Sequence, residues 1–270
     1  MTGCVVITGA GGLLGRAMAV AFAREGRDIV LADIDRGKLA ASAEAVERTG
    51  RAALPVVTDV TDADAMEALA ERAYARFDRV DRLCLNAGCV VLKSFAQLTR
   101  ADWDRVLGVQ WQGVLNGVLS FLPRLIAQDG DRHVLIVSSM SGVGRADLRQ
   151  INAPYVVAKF ACVGLAETMA PAMQEHGIGV SVLCPGMTVA DPTAAKSASW
   201  PTRSAEWYRD NLLDADEVAA EVITGIAEKR FYIFPHRAGR QEVVDRHQRL
   251  MEGFDQAERT SPAMAKIQTA

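Results

Sequence analysis

Of the four tyrosines in this 270-residue chain, only Tyr155 is followed four residues later by a lysine, Lys159, in the run Pro154-Tyr-Val-Val-Ala-Lys. Four residues are about one turn of an α-helix, so the two side chains share a face roughly 6 Å apart along the axis. An ammonium there favours the ionised form of a phenol whose free pKa is about 10, which brings its proton exchange toward neutral pH. Such a phenol can give a proton to a carbonyl oxygen or take one from an alcohol. Just upstream, an apolar run ends in Ser138-Ser139-Met140-Ser141-Gly142, which supplies hydroxyls able to hold the reacting oxygen. Serines at the end of a strand are also ordinary turn formers, so this feature gains weight only in company.

That company is at the other end of the chain. The apolar run from Cys4 leads into Thr8-Gly9-Ala10-Gly11-Gly12-Leu13-Leu14-Gly15 and then a helical pattern. Strand, glycine loop and helix in that order suit a dinucleotide: glycine allows the tight turn and close backbone approach, and the helix N-terminus offers unpaired N–H groups to a pyrophosphate. Asp33 ends the next apolar run, where a carboxylate can accept hydrogen bonds from ribose hydroxyls and would repel a 2′-phosphate. Ile34 rather than arginine follows it, and no basic residue lies from Gly9 to Gly12, so NAD is expected over NADP. Asp33 could instead cap the following helix.

The elements that must position these groups are legible as alternation. Short β-rich runs at Cys4 to Thr8, Asp28 to Asp33, Ala53 to Val57, Arg82 to Asn86, Val134 to Ser138, Val180 to Cys184 and Phe231 to Phe234 predict seven strands. Between them Leu13, Leu14, Ala17, Met18, Ala21 and Phe22 keep the spacing of one helix face. Trp103, Val106, Leu107, Gln110, Trp111 and Val114 do the same. Strands apolar on both faces and joined by helical crossovers imply an α/β, doubly wound parallel sheet of the Rossmann type, with ligands at the carboxyl ends of the strands. One domain is expected over residues 1–252, with a substrate lid over 188–212 and a C-terminal tail over 253–270.

In this order the residues resemble the short-chain dehydrogenase/reductase family, from residue 3 to about residue 235, in its single-domain form with a variant glycine loop. The resemblance implies Tyr155 as acid/base, Lys159 holding the nicotinamide ribose and tuning the phenol, and Ser139 binding the substrate oxygen. It also implies that Asp59 and Val60 meet the adenine, that Asn86, Ala87 and Gly88 brace the sheet beside the cofactor, and that Pro185 and Gly186 lie at the nicotinamide. The chain departs from the family's pattern in places. Leu13 stands where glycine is usual, Gln110 falls at the position of a proton-relay asparagine, and the spacing from Ser139 to Tyr155 is a few residues longer. Ala190 replaces a threonine that binds the carboxamide, a part Thr188 could take.

Composition narrows the function further. A net charge of −3 gives no excess of positive charge for nucleic acid. No stretch reaches the roughly 18 uninterrupted apolar residues of a membrane span, and no metal site is suggested by the scattered His133, His176, His236 and His247. His133 and His236 are read as strand-edge residues. Five cysteines, three inside apolar runs, suggest a reducing compartment and a cytoplasmic protein. The reading is an NAD-dependent oxidoreductase acting on a small alcohol or carbonyl compound, with a dinucleotide-binding module of little turnover as the alternative. The pocket is expected to be walled by residues 143–153 and by the lid with Trp200, Trp207 and Tyr208. The apolar face from Trp103 to Leu122 exceeds what one sheet face covers, and the resemblance implies pairing into a homodimer or homotetramer.

Overall fold

The computed structural model describes residues 3–144, 146, 151–192, 211–235 and 239–260, with side chains to residue 257. Strands β1 (Cys4–Thr8), β2 (Asp28–Asp33), β3 (Ala53–Val57), β4 (Val80–Leu85), β5 (Arg132–Val137) and β6 (Ile178–Leu183) alternate with helices. They pair in parallel, with a short β9 (Tyr232–Ile233) at one edge, in the order β3-β2-β1-β4-β5-β6-β9. The order reverses between β1 and β4, the switch point where a doubly wound sheet opens a crevice at the carboxyl ends.

Side-chain alternation divides the core into two layers. Val5, Ile7, Ile29 and Leu31 face α1 (Leu13–Arg24), α2 (Arg36–Glu47) and α7 (Ala215–Ala227). Val6, Val30, Leu83 and Ile136 face α3 (Ala63–Phe77), α5 (Gly113–Ala127) and α6 (Ala153–Gln174). Both sheet faces are covered, which is why the strands read as continuous apolar runs.

The structure departs from the sequence reading in five places. β4, β5 and β6 each begin two residues earlier than expected, because the added residues include the polar Asp81, Arg132 and His133 and the small Gly179, which interrupt the apolar runs. His133 is therefore no edge residue: it is 4 % exposed in a central strand, its ring nitrogen Nε2 2.8 Å from Ser181 Oγ. The expected helix from Trp103 is α4 (Arg100–Leu107) and α5 joined through a π-helical turn at Gly108–Gln112. Two-residue strands β7 (Thr188–Val189) and β8 (Leu213–Asp214) pair in parallel, too short to leave a periodic signal. The last helix, α8 (Arg240–Thr260), passes through Gly253, so the boundary expected there falls inside an element.

By length and composition α6 is apolar enough to cross a membrane. It is the helix that carries Tyr155 and Lys159, and it packs along β6 and under Ser139 to Gly142. Most of the expected lid, including Trp200, Trp207 and Tyr208, lies outside the described residues, as do Arg145, residues 147–150 of the other pocket wall, and His236.

Candidate active site

The glycine loop is built by close approach. Gly9 has φ +65°, and a Cβ there would meet the Ala87 Cα at 2.7 Å. A Cβ on Gly15 would lie 2.2 Å from the Gly9 carbonyl oxygen, so the first turn of α1 is pressed onto the loop. Gly12 is the N-cap of α1 and offers no side chain to its first N–H groups, which leaves them for an anion. Leu13, at the first helical position, has ordinary helical backbone and a side chain 42 % exposed, so the departure from glycine introduces no strain. Leu14 is half-buried beside it. From the neighbouring helix the buried Ser42 donates to the Ala10 carbonyl at 2.8 Å, a brace that the sequence reading missed.

Asp33 organises the same loop. Its Oδ2 accepts from Gly11 N at 2.9 Å and its Oδ1 from Asp35 N at 3.0 Å. The cap of α2 is Asp35, whose carboxylate accepts from Gly37 and Lys38 N–H groups. Asp33 is thereby left at the crevice rather than spent on capping. The hydrogen bonds from Lys38 N and Gly37 N, with the Lys38 ammonium nearby, hold the Asp35 carboxyl below the usual range.

Across the switch point Thr8 and Asn86 tie β1 to β4. Thr8 Oγ1 accepts from Asn86 N at 2.9 Å and Ala87 N at 3.1 Å, while Asn86 Nδ2 donates to the Thr8 and Gly9 carbonyls. Gly88 follows at the open edge, packed against the Gln110 amide. After β3 Asp59 is exposed and accepts from Thr61, and Val60 is buried with its carbonyl held by Asn116 Nδ2 at 2.9 Å. Asn116 was also missed; its signal is a lone amide inside the apolar stripe Val114, Gly117, Val118 and Phe121.

At the end of β5 the serines divide their tasks. Ser138 is fully buried and donates to the Lys159 carbonyl at 2.9 Å, fixing α6 to the sheet; a Cβ on Gly142 would sit 2.4 Å from that hydroxyl. Ser139 Oγ accepts from Ser141 N at 3.1 Å and donates to the Pro185 carbonyl at 3.4 Å. Met140 N also donates to Pro185 O, binding this turn to the Pro185-Gly186 segment. Thr188 Oγ1 bonds back to Gly186 O at 3.3 Å. On α6, Lys159 is 4 % exposed, donates from Nζ to the Val137 carbonyl at 2.7 Å, and lies 5.4 Å from the centre of the half-buried Tyr155 ring. The one-turn spacing thus brings phenol and ammonium together at the carboxyl edge.

Gln110 sits in the π turn, 2 % exposed. Its Nε2 donates to the Cys89 carbonyl at 2.8 Å, its Oε1 has no hydrogen-bond partner among the described residues, and its backbone carbonyl receives the Cys162 thiol at 3.4 Å. A π turn at such a position is a common mark of a functional site. Burial pushes the Cys184 thiol up to about 12 and raises those of Cys162 and Cys89, so these thiols stay protonated and weakly nucleophilic near neutral pH.

The comparisons agree with this architecture. The chain matches the short chain dehydrogenase family over residues 3–200. It is 37 % identical over 183 residues to "Probable oxidoreductase EphD" of Mycobacterium tuberculosis (strain ATCC 25618 / H37Rv), covering 68 % of this chain but only 30 % of that longer relative. It is 31 % identical to "1-deoxy-11-beta-hydroxypentalenate dehydrogenase" of Streptomyces arenae, covering 97 % of this chain and 89 % of the relative. Among solved structures, a short chain dehydrogenase/reductase from Burkholderia phymatum in complex with NAD superposes with a TM-score of 0.81 at 32 % identity, covering 93 % and 95 % of the two chains. With the parallel seven-stranded sheet and its glycine loop, these matches place the chain in the short-chain dehydrogenase/reductase family.

Proposed function

We propose that the protein interconverts a secondary alcohol and a ketone with NAD, Tyr155 moving the proton that accompanies hydride transfer. The observation that carries this reading is the buried Lys159 ammonium, held by Val137 O and set 5.4 Å from the Tyr155 ring at the strand ends beside Ser139. NAD supplies the hydride acceptor when bound, or the donor when reduced. Gly9, Gly11, Gly12, Leu13, Leu14 and Gly15 would cradle its pyrophosphate. Asp33 would take the adenosine ribose and Asp59 and Val60 the adenine, while Asn86, Ala87 and Gly88 would flank the crevice. Lys159 would hold the nicotinamide ribose, and Pro185, Gly186 and Thr188 its ring. The uncapped N-terminus of α1 and the close backbone approach that only glycine allows at Gly9 and Gly15 support that fit.

Ser139 Oγ would hydrogen-bond the substrate oxygen. In oxidation the Tyr155 oxygen takes the hydroxyl proton, with Lys159 beside the ring. In reduction Tyr155 returns the proton to the carbonyl oxygen. The half-buried Asp33 carboxylate, followed by Ile34 and no arginine, supports NAD over NADP because a 2′-phosphate would meet its charge. The exposed Leu119 of α5 and Val157 of α6 support a homodimer or homotetramer paired through these helices.

The test is to titrate NAD(H) and NADP(H) by nicotinamide fluorescence and then screen secondary alcohols and ketones at the nicotinamide absorbance band. Tighter NAD(H) binding with turnover is expected. Tight binding without turnover across the panel would favour a binding module, and failure to bind either dinucleotide would overturn both.

A further inference from the structure

The chain leaving β4 runs Gly88-Cys89-Val90-Val91-Leu92-Lys93, and its backbone is fastened at both ends. The Cys89 carbonyl accepts from Gln110 Nε2 at 2.8 Å, and Lys93 N donates to the Ile151 carbonyl at 2.8 Å, just before α6. Cys89 also lies close enough to Lys159 for that charge to bear on its thiol. The segment therefore spans from the Gly88 end of the crevice to the start of the Tyr155 helix, along one side of the catalytic cleft.

What it presents there is apolar. Val90, Leu92 and Ile151 are 50, 65 and 54 % exposed. The cation of the loop is already paired: Lys93 Nζ meets both carboxylate oxygens of Asp102 at 2.9 and 2.8 Å, and Asp102 is further held by Thr99. These bonds keep the Asp102 carboxylate ionised, at about 2. A fastened backbone that keeps apolar side chains in water beside a reaction centre is the mark of a ligand-binding surface.

We propose that Val90, Leu92 and Ile151 form the specificity wall of this enzyme and take an apolar substrate body, a hydrocarbon chain or ring system extending from the reacting carbon. This deepens, and rests on, the alcohol/ketone reading of the Tyr155 site. Leu92 and Ile151, joined by the Lys93 to Ile151 hydrogen bond, cover the body beyond the reacting carbon, and Val90 covers the part nearer Gly88. Phe95, with its ring edge on Trp103, extends the apolar surface outward.

The test uses the NADH complex, in which alcohols bind without turning over. Straight-chain secondary alcohols of increasing length, from 2-butanol upward, are titrated by nicotinamide fluorescence into wild type, Leu92→Ser and Ile151→Ser. The dissociation constant is expected to fall about threefold per added methylene over the first several, and this dependence to flatten in both variants. In steady-state turnover with NAD the same trend should appear in KM rather than kcat. A flat series in the wild type, or an unchanged slope in both variants, overturns the proposal. So does a variant that changes the sedimentation coefficient and leaves the slope intact, which would make the wall a contact between copies of the chain. Length-dependent binding without turnover would instead leave the wall standing and count against the proposed reaction.

Discussion

The two ends of the sheet are both rich in polar side chains and use them in opposite ways. At the amino ends, Asp81 is buried between the guanidinium groups of Arg27 and Arg79 and also accepts from Gly3 N. Arg82 pairs with Asp131, and His133, Ser181 and the Arg230 carbonyl form a chain of hydrogen bonds. These groups spend their hydrogen-bonding capacity on one another. At the carboxyl ends Gly12 leaves the first turn of α1 uncapped, Gln110 Oε1 has no partner among the described residues, and Lys159 sits beside Tyr155 at the cleft. One rim closes the fold; the other keeps polar capacity in hand for a ligand. Polar residues on a strand therefore say little about function until their partners are known.

Removing the cation at the upper rim should have the largest effect. Lys159→Met is expected to lower turnover about a thousandfold, close to 4 kcal/mol of barrier, with weaker dinucleotide binding and an intact fold by circular dichroism. At the lower rim the consequence should be stability rather than rate. Burial, with the Arg82 charge, lowers the His133 pKa to about 4 despite the opposing Asp131. The unfolded chain takes up a proton on this ring near pH 6.5 and the folded chain only near 4, so its contribution is fully present above 6.5 and is lost as pH falls between those values. The loss should reach about 3 kcal/mol at the acid limit, read as a slope in urea-unfolding free energy that His133→Gln removes.

Smaller effects refine the contrast. Asp81→Ala leaves two partly exposed guanidinium groups without their shared carboxylate and should cost about 2 kcal/mol of unfolding free energy with kcat unchanged. Asn116→Ala, which frees the Val60 carbonyl at the proposed adenine position, should cost about 1 kcal/mol and show chiefly as weaker dinucleotide binding by fluorescence titration.

The upper rim was the more legible of the two in the sequence. A glycine loop, a carboxylate ending the next strand, and a tyrosine and lysine one turn apart are local patterns, and the structure places all of them along the carboxyl ends of the strands. Braces such as Ser42 to Ala10 and Asn116 to Val60 join residues 32 and 56 positions apart, so no local spacing announces them. His133 was misread for a related reason: a polar residue before an apolar run looks like an edge until strands on both sides bury it. The π turn was hidden because Val106, Gln110 and Val114 still keep a helical spacing of four while the hydrogen bonding changes beneath them.

The contrast between the rims stands or falls most directly on Tyr155→Phe, with NADH affinity and turnover of a responsive alcohol or ketone measured on the same preparation. The account predicts a dissociation constant within about twofold of wild type and turnover reduced about a thousandfold, since only the hydroxyl is lost. Turnover at the wild-type rate would contradict it.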